Sequence, residues 1–198
     1  GDYGLLTHNY GFVANFAPVM QAGDFGTHVD LSTWIDAAPL AVDPDGDTVF
    51  YRIIGAEHGT ATLAPDGQTV IFTPEAGFAG TASFTLIADD GYQLSDPMRY
   101  AVEVSDAALL AIDIVTRSTK LAIGEVGEIV FIGDFSDRNG VLLPASYLDI
   151  IMTEPGVAAM EAGLIRGMAQ GATTLLASRG DARAVSRVHV GEIPLSTL

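Results

Sequence analysis

Three carboxylates occupy alternate positions in residues 41–49 (AVDPDGDTV), with a proline and a glycine between them: Asp43, Asp45 and Asp47. Asp, Pro and Gly favour a tight turn. Three carboxylates in one turn repel one another unless a cation lies among them, and hard oxygen ligands of this kind suit calcium. The run therefore predicts either a calcium site or a solvated turn.

The spacing first suggests an EF-hand loop. If Asp43 is position 1, position 6 is Thr48, where that loop has Gly, and position 12 is Ile54, where it has a bidentate Glu. The residues from Thr48 to Ile54 are rich in β-branched and aromatic side chains, which favours a strand over a helix. The sequence thus predicts a loop that leads into a strand, and not an EF-hand.

The charge of the chain is strongly negative and unevenly distributed. Its 198 residues include 9 Lys and Arg against 25 Asp and Glu, a net charge of -16, which disfavours binding to nucleic acid or to anionic membrane surfaces. Residues 1–106 carry 15 acidic and 2 basic side chains, and residues 107–198 carry 10 and 7. The length of the chain and the change in net charge between its two halves favour two small domains, the first of which attracts cations.

The absence of cysteine excludes disulfides, thiolate metal sites and cysteine nucleophiles. No apolar run is long enough to span a bilayer, so we expect no membrane insertion. Gly1 begins no signal peptide, so the chain is expected to be a piece of a longer, exported precursor. Bound calcium would give such a protein a source of stability in place of disulfides.

Residues 15–106 are predicted to form a small β-sandwich, because Gly, Pro and Asp divide them into short strands about every ten residues. Alternation is clearest in the last three strands, and Pro65-Asp66-Gly67 is a hairpin signal. The predicted strands are Thr27 to Ile35, Thr48 to Ile54, Thr60 to Leu63, Gln68 to Thr73, Thr81 to Ala88 and Met98 to Val104.

A second β-sandwich is predicted for residues 107–191, which are less acidic and richer in Ala, Leu and Ile. Residues 104–108 contain no Gly or Pro, so we expect a stiff connection. Residues 1–14 are expected to be a tail or the last strand of a preceding repeat, and residues 192–198 a C-terminal tail. The predicted strands are Leu109 to Val115, Gly127 to Ile132, Tyr147 to Thr153, Ala172 to Ser178 and Ala184 to Val190.

Several motifs of residues 15–105 follow one order and spacing. They are Asn15-Phe16-Ala17-Pro18, the run from Asp43 to Thr48, His58-Gly59-Thr60, Asp66-Gly67, Phe72-Thr73-Pro74, Gly77-Phe78-Ala79-Gly80-Thr81 and Asp89-Asp90-Gly91. In this order and spacing the segment resembles the bacterial cadherin-like repeats, which occur in tandem in large surface proteins, many of them calcium-dependent adhesins. The resemblance implies an immunoglobulin-like sandwich that binds Ca²⁺.

The resemblance also implies a ligand set. Asp43 and Asp45 stand where the family has its Asp-x-Asp ligands, and Asp90 stands in its second acidic loop. The acidic linker residues that surround the family's Asn are absent here, because Val13-Ala14 precede Asn15, which argues against a site for several ions. The expected site is single and consists of Asp43, Asp45, Asp47 and one of Asp89 or Asp90.

The second half resembles the bacterial immunoglobulin-like domains of the second group. The motifs are Ala122-Ile123-Gly124-Glu125, Gly133-Asp134-Phe135-Ser136-Asp137, Glu154-Pro155-Gly156-Val157-Ala158 and residues 162–173 (AGLIRGMAQGAT). In that family a Gly-x-Val-x-Gly strand and a Gly-Thr turn precede the last two strands. The family's usual Trp in the middle strand is missing, and Ile150 and Ile151 occupy its neighbourhood.

Other residue types give weaker signals. His8, His28, His58 and His189 lie at unrelated spacings, without a pair of zinc-like spacing, and no Gly-x-Ser-x-Gly elbow accompanies the serines. Trp34, the only tryptophan, is either a sugar-stacking platform or a packing residue. No residue is predicted to be catalytic, and no enzymatic activity is expected.

The prediction is therefore an all-β protein of two immunoglobulin-like β-sandwich domains in series. Its expected function is structural: a calcium-stiffened spacer or adhesion segment of an exported bacterial surface protein, located outside the cell or on its surface, within an extended or polymeric assembly. The expected partners are neighbouring repeats, copies of the same protein, and a surface glycan or host-cell ligand. Two alternatives stay open, a carbohydrate-binding or accessory module of an exported enzyme and a phage virion component.

Overall fold

The computed structural model describes residues 14–115, 118–161 and 163–191. They divide into two units, one that ends at Ser105 and one that begins at Asp106. Within these ranges the regular structure is strand, with two short 3-10 turns at Ala38–Leu40 and Ala145–Tyr147, and no helix is long and apolar enough to cross a membrane. The all-β prediction is confirmed. The predictions for residues 1–13 and 192–198 lie outside the described residues.

The first unit contains two main sheets. One is four-stranded with the order β2-β9-β8-β5 and the other is three-stranded with the order β3-β7-β6, while β1 and β4 form a separate pair. All pairings are antiparallel except that of β2 with β9. The strands are β1 (Val19–Met20), β2 (Phe25–His28), β3 (Thr33–Asp36), β4 (Ala41–Val42), β5 (Phe50–Glu57), β6 (Gly59–Leu63), β7 (Thr69–Pro74), β8 (Gly80–Asp89) and β9 (Met98–Ser105).

Alternate residues of β7, β8 and β9 form the core of the first unit, as their pattern predicts. Phe84 is fully buried, and its ring lies 5.3 Å from that of Tyr100, 6.0 Å from Phe25 and 6.3 Å from Phe72, measured between centroids. The Tyr100 hydroxyl donates to the Gln21 carbonyl at 2.7 Å, so the polar end of this buried ring is satisfied. The predicted inward residues, all buried, are Val70, Phe72, Phe84, Leu86, Tyr100, Val102 and Val104.

Two of the predicted strands are each two separate strands in the structure. The predicted strand from Thr27 to Ile35 is two strands, β2 and β3, because Asp30 has a left-handed backbone with φ of 62° and turns the chain between them. The Thr27 hydroxyl donates to the Leu31 carbonyl at 2.7 Å and holds this turn. The predicted strand from Gly127 to Ile132 is likewise two separate strands of the second unit, which belong to different sheets.

The second unit contains three sheets, with the orders β11-β19-β18-β15, β10-β13-β14 and β12-β17-β16. The strand β11 is parallel to β19. The strands are β10 (Leu109–Ile114), β11 (Ser118–Ala122), β12 (Val126–Glu128), β13 (Phe131–Phe135), β14 (Val141–Leu143), β15 (Asp149–Met152), β16 (Ala158–Glu161), β17 (Leu164–Gly167), β18 (Gly171–Arg179) and β19 (Ala182–Gly191).

Aliphatic residues and two Phe side chains fill the core of the second unit. Ile165, Leu175 and Val188 are fully buried, and Phe131 is 1% exposed. In the middle strand β15, Ile150 is half-buried and Ile151 is 57% exposed. The strand β17 lies where the Gly-x-Val-x-Gly pattern predicts one.

Candidate metal site

The loop between β4 and β5 folds around the side chain of Asp43. Its Oδ1 atom accepts hydrogen bonds from the main-chain N–H groups of Asp45, at 2.9 Å, and Asp47, at 3.0 Å. The N–H of Gly46 also donates to the main-chain oxygen of Asp43 at 3.3 Å, and Gly46 has φ of 81°, which favours glycine. These bonds bring the Asp45 and Asp47 side chains back toward Asp43.

The three predicted carboxylates come together in this loop. One oxygen each of Asp43, Asp45 and Asp47 can be chosen so that all lie within 4.8 Å of one another. Asp43 Oδ2 is buried and has no hydrogen-bond partner in the described structure. A buried, unpaired acceptor is costly, and a cation among the three carboxylates would satisfy it. The residues thus fit a hard cation such as calcium.

Asp90, in the second acidic loop, is held by hydrogen bonds. Its Oδ1 accepts from the N–H groups of Gln93 at 2.6 Å and Tyr92 at 2.7 Å, and its Oδ2 accepts from the Asn15 amide at 2.9 Å. The bond from Gln93 is the main cause that lowers the pKa of the Asp90 carboxyl; burial opposes it, and the bonds from Asn15 and Tyr92 add to it. Although the residue is only 6% exposed, its hydrogen bonds favour the ionised carboxylate and hold the second acidic loop.

The neighbouring Asp89 has a different partner. It forms an ion pair with Arg52 of the adjacent strand β5, and its Oδ1 accepts from the Gly91 N–H at 2.9 Å. In the described residues, the group of clustered carboxylates contains neither Asp89 nor Asp90. Their role as a fourth metal ligand stays a prediction.

The segment Asn15-Phe16 joins the two acidic loops. The Phe16 N–H donates to Asp45 Oδ2 at 2.6 Å, while the Asn15 amide donates to Asp90. The Gln93 amide donates to the Asn15 carbonyl at 2.6 Å. Sequence reasoning identified Asn15 through the resemblance but missed Phe16 and Gln93, because a main-chain donor and a lone Gln leave no motif.

The remaining candidate residues do not form a second site. His58 stacks on Phe78 with centroids 4.3 Å apart, and no histidine belongs to a metal-type cluster in the described ranges. Trp34 is 53% exposed on a sheet face, and Tyr51, Tyr100 and Tyr147 are buried. Tyr92 is 81% exposed, but it follows β8 of the other sheet, so Trp34 and Tyr92 do not lie on one sheet face.

The model of the bacterial Ig-domain family matches residues 15–103. The match supports a bacterial Ig-like domain at these residues. Together with the two main sheets of the first unit, it confirms the all-β, immunoglobulin-like fold class. The narrower assignments, to cadherin-like repeats for the first unit and to the second group of bacterial immunoglobulin-like domains for the second, stay predictions.

Several solved structures resemble the chain at low sequence identity. Surface-layer protein SbsC, domains 1 to 6, is 16% identical, with 89% of this chain and 29% of SbsC covered and a TM-score of 0.39. An endo-fucoidan hydrolase of glycoside hydrolase family 107 is 16% identical, with 89% of this chain and 29% of the hydrolase covered and a TM-score of 0.38. A chimeric titin fragment is 14% identical, with 90% of this chain and 100% of the fragment covered and a TM-score of 0.34.

This chain therefore spans less than a third of SbsC and of the hydrolase. Similarities of this size say nothing about what the chain binds or does. The search of curated proteins found no match.

Proposed function

We propose that this chain is a non-enzymatic structural segment of an exported bacterial surface protein, and that calcium stabilises its first unit. The bacterial Ig-like domain at residues 15–103 supports a structural role. The acidic excess of the first half supports a cation as its ligand. In this proposal the segment works outside the cell, within an extended or polymeric assembly.

The observation that carries the calcium proposal is the state of Asp43. One of its oxygens is used to fold the loop, and the other is buried without a hydrogen-bond partner beside the carboxylates of Asp45 and Asp47. A solvated turn would expose its carboxylate oxygens to water. A loop built to hold a cation leaves an acceptor free at this place.

Calcium takes six to eight oxygen ligands, which carboxylates, main-chain carbonyls and water supply together. In the proposed site Asp43, Asp45 and Asp47 provide the carboxylates, and the second acidic loop provides a further one from Asp89 or Asp90. The bound ion supplies positive charge that offsets the repulsion among these groups. The chain's own residues hold the loop in place. Asp43 Oδ1 accepts a hydrogen bond from the Asp45 N–H, and Asp45 Oδ2 accepts one from the Phe16 N–H.

The expected consequence is ordinary ion linkage. A ligand that binds only the folded state stabilises it by about 2.7 kcal/mol at a concentration 100 times its dissociation constant. Because Asp45 is bonded to Phe16 and Asp90 to Asn15, the ion would also hold the segment that enters the first unit. By holding this entering segment, bound calcium would stiffen the first unit.

Thermal unfolding of the chain, with and without calcium, tests the proposal. Trp34 lies in the first unit and is the only tryptophan, so its fluorescence reports the unfolding of that unit. For a domain of this size, about 2.7 kcal/mol corresponds to a rise in Tm of roughly 10 °C or more. We expect such a rise for the wild type between chelator and millimolar calcium.

The matched variants are Asp45→Asn and Asp24→Asn. Both remove one exposed carboxylate, but only the first belongs to the cluster. Asp45→Asn should abolish most of the rise in Tm, and Asp24→Asn should leave it unchanged. An equal Tm in calcium and in chelator would show that the cluster is a solvated turn, and the calcium part of the proposal would then be wrong.

A further inference from the structure

The outer face of the sheet β11-β19-β18-β15 carries an exposed apolar row. Val185, on β19, pairs with Leu176, on β18, and Leu176 pairs with Ile151, on β15. Val185 is 61% and Ile151 57% exposed. Because paired residues point to the same side of a sheet, the three side chains form one contiguous surface, here called the Val185 face.

Arginines lie on both sides of this row. Arg183 and Arg187 are exposed and each is two residues from Val185 on β19, about 7 Å along the same face. Lys120 is exposed on the neighbouring strand β11. No ion pair between described residues involves any of the three. Asp149 is the acidic residue of this face, at the end of the row that contains Arg183.

The first unit presents a face with the opposite charge. Trp34, on β3, pairs with Ile71, on β7, and Ile71 pairs with Thr62, on β6, across the outer side of that sheet. Asp36 is exposed two residues from Trp34, and Asp66 is exposed in the turn between β6 and β7. These residues form the Trp34 face.

In the described part of the first unit, the acidic side chains of the Trp34 face form no ion pair. Of the unit's two basic residues, Arg52 pairs with Asp89 and Arg99 pairs with Glu57. The face therefore combines an exposed aromatic ring with uncompensated negative charge. The Val185 face combines aliphatic side chains with uncompensated positive charge.

We propose that the Val185 face of one copy docks on the Trp34 face of another copy. In both faces an apolar row lies about 7 Å from charge on the same strand, and the charges are opposite. With the two apolar rows in register, Arg183 or Arg187 of the first copy lies opposite Asp36 of the second and can form an ion pair with it. The contact is heterologous, because different surfaces meet, so it propagates into a chain of copies or closes into a ring.

This inference deepens the proposed structural role and rests on it, since it names the partner within the assembly. The three-stranded Trp34 face measures roughly 14 by 17 Å, from the strand spacing and the rise per residue. That area is well below a standard interface. We therefore expect weak association, which tethering within a larger assembly would strengthen.

Sedimentation velocity and Trp34 emission, measured together over a series of protein concentrations, test the inference. The wild-type chain should gain mass as concentration rises, and the emission of Trp34 should shift to shorter wavelength over the same range. High salt should weaken both changes. A chain that stays monomeric throughout, or an emission change without a gain in mass, overturns the inference. An emission change caused by added soluble glycans at low protein concentration would instead assign Trp34 to sugar binding.

Two pairs of variants that change the net charge equally test whether the Val185 face forms the contact. Arg183→Glu with Arg187→Glu should raise the concentration needed for association at least tenfold. Arg138→Glu with Arg166→Glu, which changes net charge equally outside the Val185 face, should not. Adding Asp36→Arg to the first pair should restore part of the association. An equal loss of association in both pairs of variants overturns the inference.

Measurements in calcium and in chelator test the docking of the two faces separately from the proposed calcium site. The association series is run in calcium and in chelator, beside the thermal unfolding of the same samples. Association of the folded chain without any calcium-dependent rise in Tm contradicts the calcium site alone. A calcium-dependent rise in Tm in a chain that does not associate contradicts the docking of the two faces alone.

Discussion

Two aspartates of the first unit have opposite surroundings. Both oxygens of Asp90 accept hydrogen bonds, from Gln93, Tyr92 and Asn15, whereas Asp43 uses only Oδ1 and leaves Oδ2 buried and unpaired. Asp90 thus already accepts a hydrogen bond at each oxygen. Asp43 has an acceptor to spare, so it is the better candidate for a metal ligand.

The lowered pKa of Asp90 makes the folding stability of the first unit depend on pH. Its folded-state pKa lies below its ordinary value, chiefly because of the bond from Gln93. A lowered folded pKa stabilises the protein above the unfolded-state value of about 3.9, and this stabilisation is lost as the pH falls through the folded pKa. Asp90→Asn should therefore lower Tm near neutral pH and flatten its decline below about pH 4.

The measurement is Tm by Trp34 fluorescence across this acidic range, in chelator. Asp24→Asn, at an exposed position, is the control and should keep the wild-type profile. Asp66 also has a lowered pKa, mainly through the Thr69 hydroxyl, so some decline should persist in Asp90→Asn. A variant profile parallel to that of the wild type would contradict the role assigned to Asp90.

For single residues, the sequence predicted the three clustered aspartates but not all of their hydrogen-bond partners. Asp43, Asp45 and Asp47 are close in the chain, so turn chemistry alone brings them together. The bond from Phe16 to Asp45 spans 29 residues and that from Gln93 to Asn15 spans 78. Contacts of this range depend on how the sheets pack, which local patterns do not report.

Among the secondary structure elements, strand β17 depends on a glycine at its end. A Cβ atom on Gly167 would lie 2.4 Å from the main-chain oxygen of Ala122 and 3.0 Å from Val190. The N–H of Gly167 donates to the Glu125 carbonyl at 2.9 Å, and its carbonyl accepts from Gly124 at 2.8 Å. The glycine at the end of β17 lets two backbones approach closely.

We expect Gly167→Ala to destabilise the second unit by about 1–3 kcal/mol, since the obstructing atom is main chain and cannot move alone. Gly156→Ala is the control, because a Cβ there meets nothing within 4 Å and its backbone is not left-handed; it should be neutral or slightly stabilising. Urea unfolding followed by far-ultraviolet circular dichroism compares the two. Equal stability of both variants would refute the close-approach explanation.

Strands with clear alternation were predicted well and short ones were not. The sequence predicted β7, β8 and β9 to within two residues, because Val70, Phe84 and Val102 mark their buried side. It missed β11, β14 and β16, of three to five residues, whose length is too short to establish a period. The turn at Asp30 was missed because a left-handed Asp leaves no pattern in its neighbours.

For the whole molecule, the uneven charge was the most informative property of the sequence. It separated residues 1–106 from residues 107–198, and the structure divides after Ser105. A chain with 25 carboxylate side chains attracts cations weakly at many places. The stoichiometry of calcium binding distinguishes a single built site from this diffuse attraction.

The most direct test of the calcium site is therefore a calorimetric titration of the intact chain with calcium at physiological ionic strength. The expected result is one saturable site per chain in the wild type and in Asp24→Asn, and loss of that site in Asp43→Asn. The Asn side chain can still accept the bonds that fold the loop, so the variant should stay folded in chelator. Unsaturable heat in the wild type, or equal binding in Asp43→Asn, would contradict the account.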